Sequence, residues 1–377
     1  MNCLSALFQR SLKVKEFFNN KYTQGEFELG SNSICYSCPS NIALIKYWGK
    51  KETQLPRNPS LSFSLEDART TTKLKYSKRG RPWDDSPDLK FYFEGSQNQS
   101  FAMKVSGFIT KASEYLPFLR WLDFEFDSSN SFPHSSGMAS SASAMSAIAL
   151  IFVDIENQLF NLDQNQDVIR KKASALARIG SGSACRSLLP HFSVWGETPE
   201  YEGSSDLFAI DIDKQVHQDF MDICDSVVIV SSQVKSVSSS HGHKLMDQHP
   251  FAENRYLQAR ENLSKLKGHL KKGDWVGFGE LIELEALTLH GLMMSSSPSY
   301  TLLRPLSLEI IEELKNFRTK TNCDIYFTLD AGPNIHLIYP HKEKENLLVF
   351  LRSLNLSCDV HHDHLGSGPK KLVVTNG

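Results

Sequence analysis

PHSSGMASSASAMSAIAL, residues 133–150, is the stretch whose reading decides the fold. It sets a Pro and Gly turn signal and six serines against an alanine-rich run that predicts a helix over 139–159. Gly137 lets backbone come close to a ligand, and the serines add hydroxyl donors. The helix then turns its N-terminal N–H groups and positive dipole end toward the same point. A polyphosphate suits this construction, and so does the plainer reading of a Ser-rich surface loop over a buried helix. It is not a Walker A loop, because no GxxxxGK[ST] occurs in the chain.

Outward from this segment, residues 34–38, 70–76, 90–93 and 121–126 are rich in β-branched and aromatic side chains and predict strands. Helical spacing covers 101–116 and 167–178, with further strands expected at 192–195 and 208–212. The second half changes character. A buried strand at 227–231 precedes three long helical patterns at 251–270, 273–294 and 306–319. Strands follow at 323–329, 335–339 and 360–363, with a helix over 343–354. Mixed elements without strict βαβ alternation favour an α+β fold over a doubly wound sheet. The 377 residues suit two domains. The change of pattern sets their boundary near Asp211, giving 31–211 and 212–377 after an N-terminal extension of 1–30.

Lys and Arg total 41 against 43 Asp and Glu, a net charge of -2, so no global positive field points to nucleic acid. No apolar run approaches the ~20 residues of a membrane span. The N-terminal MNCLSALFQRSLKVKEFF is amphipathic but lacks the continuous apolar core and cleavage site of a secretory signal. The expectation is a cytoplasmic protein without a membrane partner. Seven scattered cysteines read as reduced thiols, and the lone Cys35–Cys38 pair has no second pair at zinc-site distance. The run His361-His362-Asp363-His364 splits between two strand faces and reads as a solvated strand end; no side-chain metal ligand is expected.

Four more polar clusters could carry chemistry. In PSNIALIKYWGKKE, residues 39–52, Lys46 and Lys50 flank an aromatic pair and a glycine. They read as ammonium groups on a semi-rigid scaffold or as surface lysines beside a core Tyr47-Trp48. In RNPSLSFSL, residues 57–65, alternation puts Ser60, Ser62 and Ser64 on one strand face. In IGSGSACRSL, residues 179–188, a helix starting near Ser183 would hold Arg186 in its first turn. A cation there opposes the dipole and suggests an anionic partner held bidentately. In TLDAGPNIHLI, residues 328–338, Asp330 ends an apolar strand before a tight turn, as a general base or a turn-former would. No GxSxG, HExxH or GxGxxG accompanies these clusters, and together they describe an ATP-dependent phosphoryl-transfer site.

NIALIKYWGK, LPRNPSLSFSL, FPHSSGMASSASA, GSGSACRSL, VSSSHG and TLDAGPN, in that order, resemble the GHMP kinase superfamily and, within it, the diphosphomevalonate decarboxylases. The resemblance spans about residues 37–369. It implies a two-domain fold, with an N-terminal ribosomal-protein-S5-like domain, a C-terminal ferredoxin-like α/β domain and an active site in the cleft between them. The implied reaction phosphorylates the 3-hydroxyl of mevalonate 5-diphosphate with ATP and Mg2+, then expels phosphate and carbon dioxide to give isopentenyl diphosphate. By similarity Asp330, Lys46 and Arg186 are catalytic, and Tyr47, Lys50, Ser181, Ser183 and Arg186 bind substrate. Gly137, Ser140, Ser141, Ser238 and Ser239 would line the ATP phosphates, and the family implies a homodimer. PHSSGMASSASA departs from the family's PTAAGLASSAAG by adding His134, Ser135 and Ser136, and Pro59 replaces a usual serine. The alternatives are a decarboxylase of mevalonate 5-phosphate and a non-catalytic binder of nucleotide or isoprenoid diphosphates. Retention of Lys46, Arg186 and Asp330 argues against a pure 3-kinase.

Overall fold

The computed structural model describes residues 18, 27, 29, 32–51, 54–133, 138, 140–233, 237–354 and 358–374. Its first unit is built on a mixed sheet. β1 (Asn32–Ala43) leads through a small hairpin, β2 (Lys50–Lys51) and β3 (Leu55–Pro56), into the 19-residue β4 (Ser60–Lys78). There follow β5 (Leu89–Phe93), β6 (Ser96–Gln97), α1 (Gln99–Ala112) and β7 (Leu122–Asn130). Then come α2 (Ser140–Leu159), α3 (Gln166–Gly180), β8 (Phe192–Trp195) and β9 (Ala209–Asp211). β1 pairs antiparallel with β4, and the register slips between Pro39 and Asn41. Such a bulge bends a strand. Beyond it, β4 leaves β7, its partner at one end, for β8 at the other.

α2 is buried over residues 142–156 on all its faces. It is long and apolar enough to cross a membrane by length and composition, contrary to the sequence expectation that no run approaches that size. Here it is instead a core helix, 83% buried over that window. Its alanines and serines keep it thin, so Ile148, Ile151 and Phe152 pack into one cluster with Phe108 of α1, Leu176 of α3 and Phe126 of β7.

The second unit comprises β10 (Ile223–Val228), α4 (Ser239–Leu245), α5 (Ala252–Lys272), α6 (Trp275–Met294) and α7 (Pro305–Thr321). It continues with β11 (Tyr326–Thr328), β12 (Ile335–Pro340), α8 (Lys344–Ser353) and β13 (Val360–His364). Its antiparallel sheet has the order β11-β12-β10-β13. Turn chemistry places the helices: Asp274 caps α6 through the Gly277 N–H at 3.0 Å, and Gly273 ends α5 with φ 73°. α7 and α8 pack Ile310, Leu314, Leu347 and Phe350 against Phe327 and Leu337. α5 and α6 pack Leu263, Phe278 and Ile282 against Val227 and Ile338, and the same cluster runs on into Leu61, Phe63 and Phe192. One apolar cluster therefore spans the two units.

The last strand, β14 (Lys370–Leu372), pairs with Cys35–Ser37 of β1. The C-terminal segment thus returns to complete the edge of the first sheet. A second joint lies at Asp363, whose buried carboxylate accepts the N–H groups of Glu66, Asp67 and Ala68 at 2.9, 2.9 and 2.6 Å. This explains the apparent metal cluster: Asp67, Asp363 and His364 bring ligand atoms within 4.8 Å of one another, but Asp363 is committed to backbone N–H groups. Asp363→Ala is expected to strand these donors and destabilise the protein by about 3 kcal/mol. A urea midpoint equal to wild type would show that the joint contributes nothing.

Candidate active site

Lys46 follows β1 and is the most tightly held residue of the cleft. Its backbone N–H donates to Glu285 Oε2 of α6 at 2.9 Å, and its carbonyl accepts from Asn58 Nδ2 at 3.1 Å and Arg255 Nη2 at 3.4 Å. Glu285 is itself saturated by Arg255, at 2.7 and 2.6 Å to its two oxygens, and by Asn262 at 2.6 Å. Arg255 and Glu285 are 1% and 0% exposed. From this fixed point the Lys46 ammonium, 2% exposed, reaches Asp330 Oδ1 at 3.0 Å, whereas Asp330 remains 28% exposed. Asp330 stands just past β11 in a tight turn, where its carbonyl accepts from the Gly332 N–H at 2.7 Å and lies 3.1 Å from His290 Nε2. One carboxylate therefore opens to the cleft with a buried cation behind it.

Arg186 enters from the other side. The expectation that it sits in the first turn of a helix is not met: Gly182–Leu188 is a 3-10 helix with Arg186 in its last turn. The dipole argument falls away. What places the guanidinium is side-chain bonding, Nε to Asn41 Oδ1 at 3.1 Å and Nη1 to Ser60 Oγ. Asn41 in turn donates to Ser187 Oγ at 2.7 Å and to the Ser183 carbonyl at 3.3 Å. Burial pulls the Arg186 pKa below its usual range, and the negative charge of Asp330 acts against that shift. Ser62 and Ser64 share the face of Ser60 but bond to Ser193 and the Leu189 carbonyl, so those two are structural.

Tyr47 continues the wall. Its hydroxyl is buried without a hydrogen-bond partner, and burial drives its pKa upward. A Cβ on Gly182 would come within 2.8 Å of that hydroxyl, so only glycine allows the Ser181–Ser183 turn to approach so closely. Ser181 and Ser183 flank this glycine, both half-buried. Lys50 bonds Gln54 Oε1 at 3.0 Å and does not reach Asp330; burial, reinforced by Lys111, lowers its pKa. Such a cation gains from an incoming anion.

Ser140 and Ser141 open α2, and Ser146 on the same helix bonds the Ala184 carbonyl at 2.8 Å, tying that helix to the Arg186 segment. Ser238 caps α4 by accepting the His241 N–H at 3.2 Å, and Ser239 is exposed beside it. Gly137, with His134, Ser135 and Ser136, lies outside the described residues. Sequence reasoning missed Glu285, Arg255, Asn58 and His243. Asn58 sat inside the quoted LPRNPS, and His243 follows the quoted VSSSHG. Glu285 carried only the weak signal of an acid within an otherwise apolar helix.

Two family models match the chain, one described as the diphosphomevalonate decarboxylase-like N-terminal domain over residues 38–207 and one as the mevalonate 5-diphosphate decarboxylase C-terminal domain over residues 226–373. The diphosphomevalonate decarboxylase of Debaryomyces hansenii is 27% identical over 372 residues, covering 90% of this chain and 92% of the relative. Among solved structures, MDDEF in complex with MVAPP, AMPPCP and magnesium superposes with a TM-score of 0.77 at 29% identity, covering 92% of this chain and all of that one. The Enterococcus faecalis mevalonate diphosphate decarboxylase, described for mevalonate diphosphate mediated ATP binding, gives 0.76 at 28% identity and the same coverage.

Arg255→Met would leave the Glu285 charge buried and half-paired, and is expected to destabilise the fold by about 3–5 kcal/mol, read as a drop in the urea midpoint. A pH effect follows from His243, whose pKa burial and Lys50 lower to about 3. A lowered histidine contributes stability above its unfolded value near ~6.5, which is lost as pH falls toward 3 at about 1.4 kcal/mol per unit. Between pH 6.5 and 4.5 the stability of wild type should therefore fall faster than that of His243→Phe, and parallel curves would refute the burial of a neutral ring.

Proposed function

We propose, because the chain belongs to the diphosphomevalonate decarboxylase family, that it converts mevalonate 5-diphosphate and ATP into isopentenyl diphosphate, ADP, phosphate and carbon dioxide. The observation that carries this reading is the Lys46–Asp330 pair, with its partly exposed carboxylate, near a buried Arg186 on which the charge of Asp330 acts. Asp330 orients the tertiary 3-hydroxyl and accepts its proton as the oxygen bonds to the γ-phosphorus and ADP departs. A tertiary alcohol is too weak an acid to ionise beforehand, so the proton moves late. Lys46 holds Asp330 in place for that step.

The second step breaks two bonds. The 3-phosphate leaves with its C–O electrons, and the electrons of the bond to the carboxylate form the alkene as carbon dioxide escapes. Arg186 orients the carboxylate through its guanidinium, which cannot turn because Asn41 and Ser60 hold it. Tyr47, Lys50, Ser181 and Ser183 bind the 5-diphosphate. Ser140, Ser141, Ser238 and Ser239, with Gly137, contact the ATP phosphates. Substrate binding promotes nucleotide binding, as in the Enterococcus faecalis relative.

Magnesium, present with the nucleotide analogue in the related complex, supplies charge neutralisation on the phosphates. The donors of this chain fit a cation carried in that way: the exposed Ser141 and Ser239 offer neutral oxygens, while Asp330 is engaged by Lys46.

The test follows carbon dioxide and ADP together with either mevalonate 5-diphosphate or mevalonate 5-phosphate. Equal release with the diphosphate is expected; release with the monophosphate alone would move the specificity, and ADP without carbon dioxide would mean a kinase. Asp330→Ala should lower kcat by roughly a thousandfold while substrate still binds. An unchanged kcat would overturn the mechanism.

A further inference from the structure

His243 is a residue to which neither the family resemblance nor the reaction gives a part. It is 8% exposed and sits on α4, five residues after the cap at Ser238. Its ring lies between two aromatic neighbours, with centroids 4.3 Å from Tyr47 and 4.6 Å from Trp48 at interplanar angles of 42° and 36°. Its Nδ1 accepts the Gly49 N–H at 3.0 Å. That bond fixes the tautomer, since an accepting Nδ1 carries no proton and the neutral ring must hold its proton on Nε2. The low pKa agrees, as burial and Lys50 both disfavour the cation.

Gly49 has φ 93°, and a Cβ there would collide with Tyr256, so the turn after Trp48 is shaped by glycine and then held by the histidine. A Cβ on Gly242, next to His243, would approach Trp48 Cζ2 to 2.5 Å and Tyr300 Oη to 2.6 Å. Gly242 thus brings the backbone of α4 against the Trp48 ring, and Gly49 brings the turn against Tyr256 of α5, with the imidazole bonded between α4 and that turn.

The geometry points to His243 as a positioning residue that joins the diphosphate-binding segment Tyr47–Lys50 to the serine-bearing start of α4, so that an anion bound at the first site orders the second. This rests on the functional reading above, which assigns substrate to one end and nucleotide to the other. The ring bonds to the turn that carries Lys50, lies tilted against Tyr47 and rides on the helix that follows the Ser238 cap, so the two ends are linked. A ligand that fixes either end lowers the ordering cost for the other, and the coupling is reciprocal.

Two variants separate the contributions. His243→Phe keeps a flat ring but cannot accept the Gly49 N–H, while His243→Asn offers an acceptor oxygen without the stack. The affinity of a non-hydrolysable ATP analogue is measured by calorimetry with and without mevalonate 5-diphosphate, and inorganic pyrophosphate serves as a second probe of the Tyr47–Lys50 end. In His243→Phe the gain in analogue affinity caused by substrate is expected to shrink about tenfold, with KM rising by a similar factor and kcat falling far less. His243→Asn should recover part of that gain. A gain equal to wild type in both variants would overturn the proposal. So would a parallel loss of kcat, KM and thermal midpoint, which a purely structural ring would give. If wild type turns over and the variants couple normally, this inference alone fails. If wild type releases no carbon dioxide from mevalonate 5-diphosphate, the functional reading fails instead, and weaker pyrophosphate binding by His243→Phe still decides the positioning role.

Discussion

The cleft depends on one buried carboxylate. Glu285 takes two hydrogen bonds from Arg255, one from Asn262 and one from the peptide N–H of Lys46. Removing such a pair from water is expensive, so its value lies less in net stability than in geometry. A lysine has about 2 kcal/mol of rotamer entropy to lose when ordered. Here the backbone on both sides of the side chain is fixed before the ammonium is placed, which leaves it one direction, toward Asp330. Because Lys46 belongs to the first unit and Glu285 to the second, the same contact that aims the lysine also sets the two sheets at a fixed spacing. The apolar cluster of Leu61, Phe63, Leu263 and Phe278 joins the same two units.

A division of labour follows from burial. The cations Lys46 and Arg186 are each 2% exposed and held by neighbours, while Asp330 is the group left open. Fixed cations behind an accessible acid make a site that is already polarised for an anionic ligand and need not reorganise during the reaction. Lys50 differs in being half-buried and bonded to a neutral amide, that of Gln54. The aromatic wall of Tyr47, Trp48 and Trp195 excludes water from this side and leaves the Tyr47 hydroxyl pointed at the Gly182 turn.

Much of this was legible in the sequence because it is local. The strand at 192–195 and the helices over 166–180 and 275–294 follow from spacing and turn residues that lie side by side in the chain. Asp330 could be placed at a strand end from an apolar run followed by Ala-Gly-Pro. The placement of Arg186 was read for the wrong reason. A helix dipole was expected to govern it, yet the segment is a 3-10 turn and the guanidinium is set by Asn41 and Ser60, 145 and 126 residues away. Glu285 lies 239 residues from the backbone it pins, and His243 lies 194 from the N–H it accepts. No periodicity encodes such pairs; only the closing of the two sheets on each other creates them. The strand expected at 227–231 shows the same limit, since β10 spans Ile223–Val228 and its register is fixed by β12 and β13 rather than by its own sequence.

The rigidity of Arg186 bears on why this cleft should do more than transfer a phosphoryl group. Phosphorylation of an alcohol needs a positioned hydroxyl, a nearby base and a nucleotide. Decarboxylation adds a stereoelectronic demand: the bond to the carboxylate must align with the departing phosphate. A flexible lysine at position 186 could neutralise a carboxylate but not fix its plane, whereas a guanidinium bonded at Nε and Nη1 presents its remaining edge in one orientation. The burial that depresses the Arg186 pKa is opposed by the negative charge of Asp330. Burying a cation is costly, and an anionic group at its open edge would lower that cost.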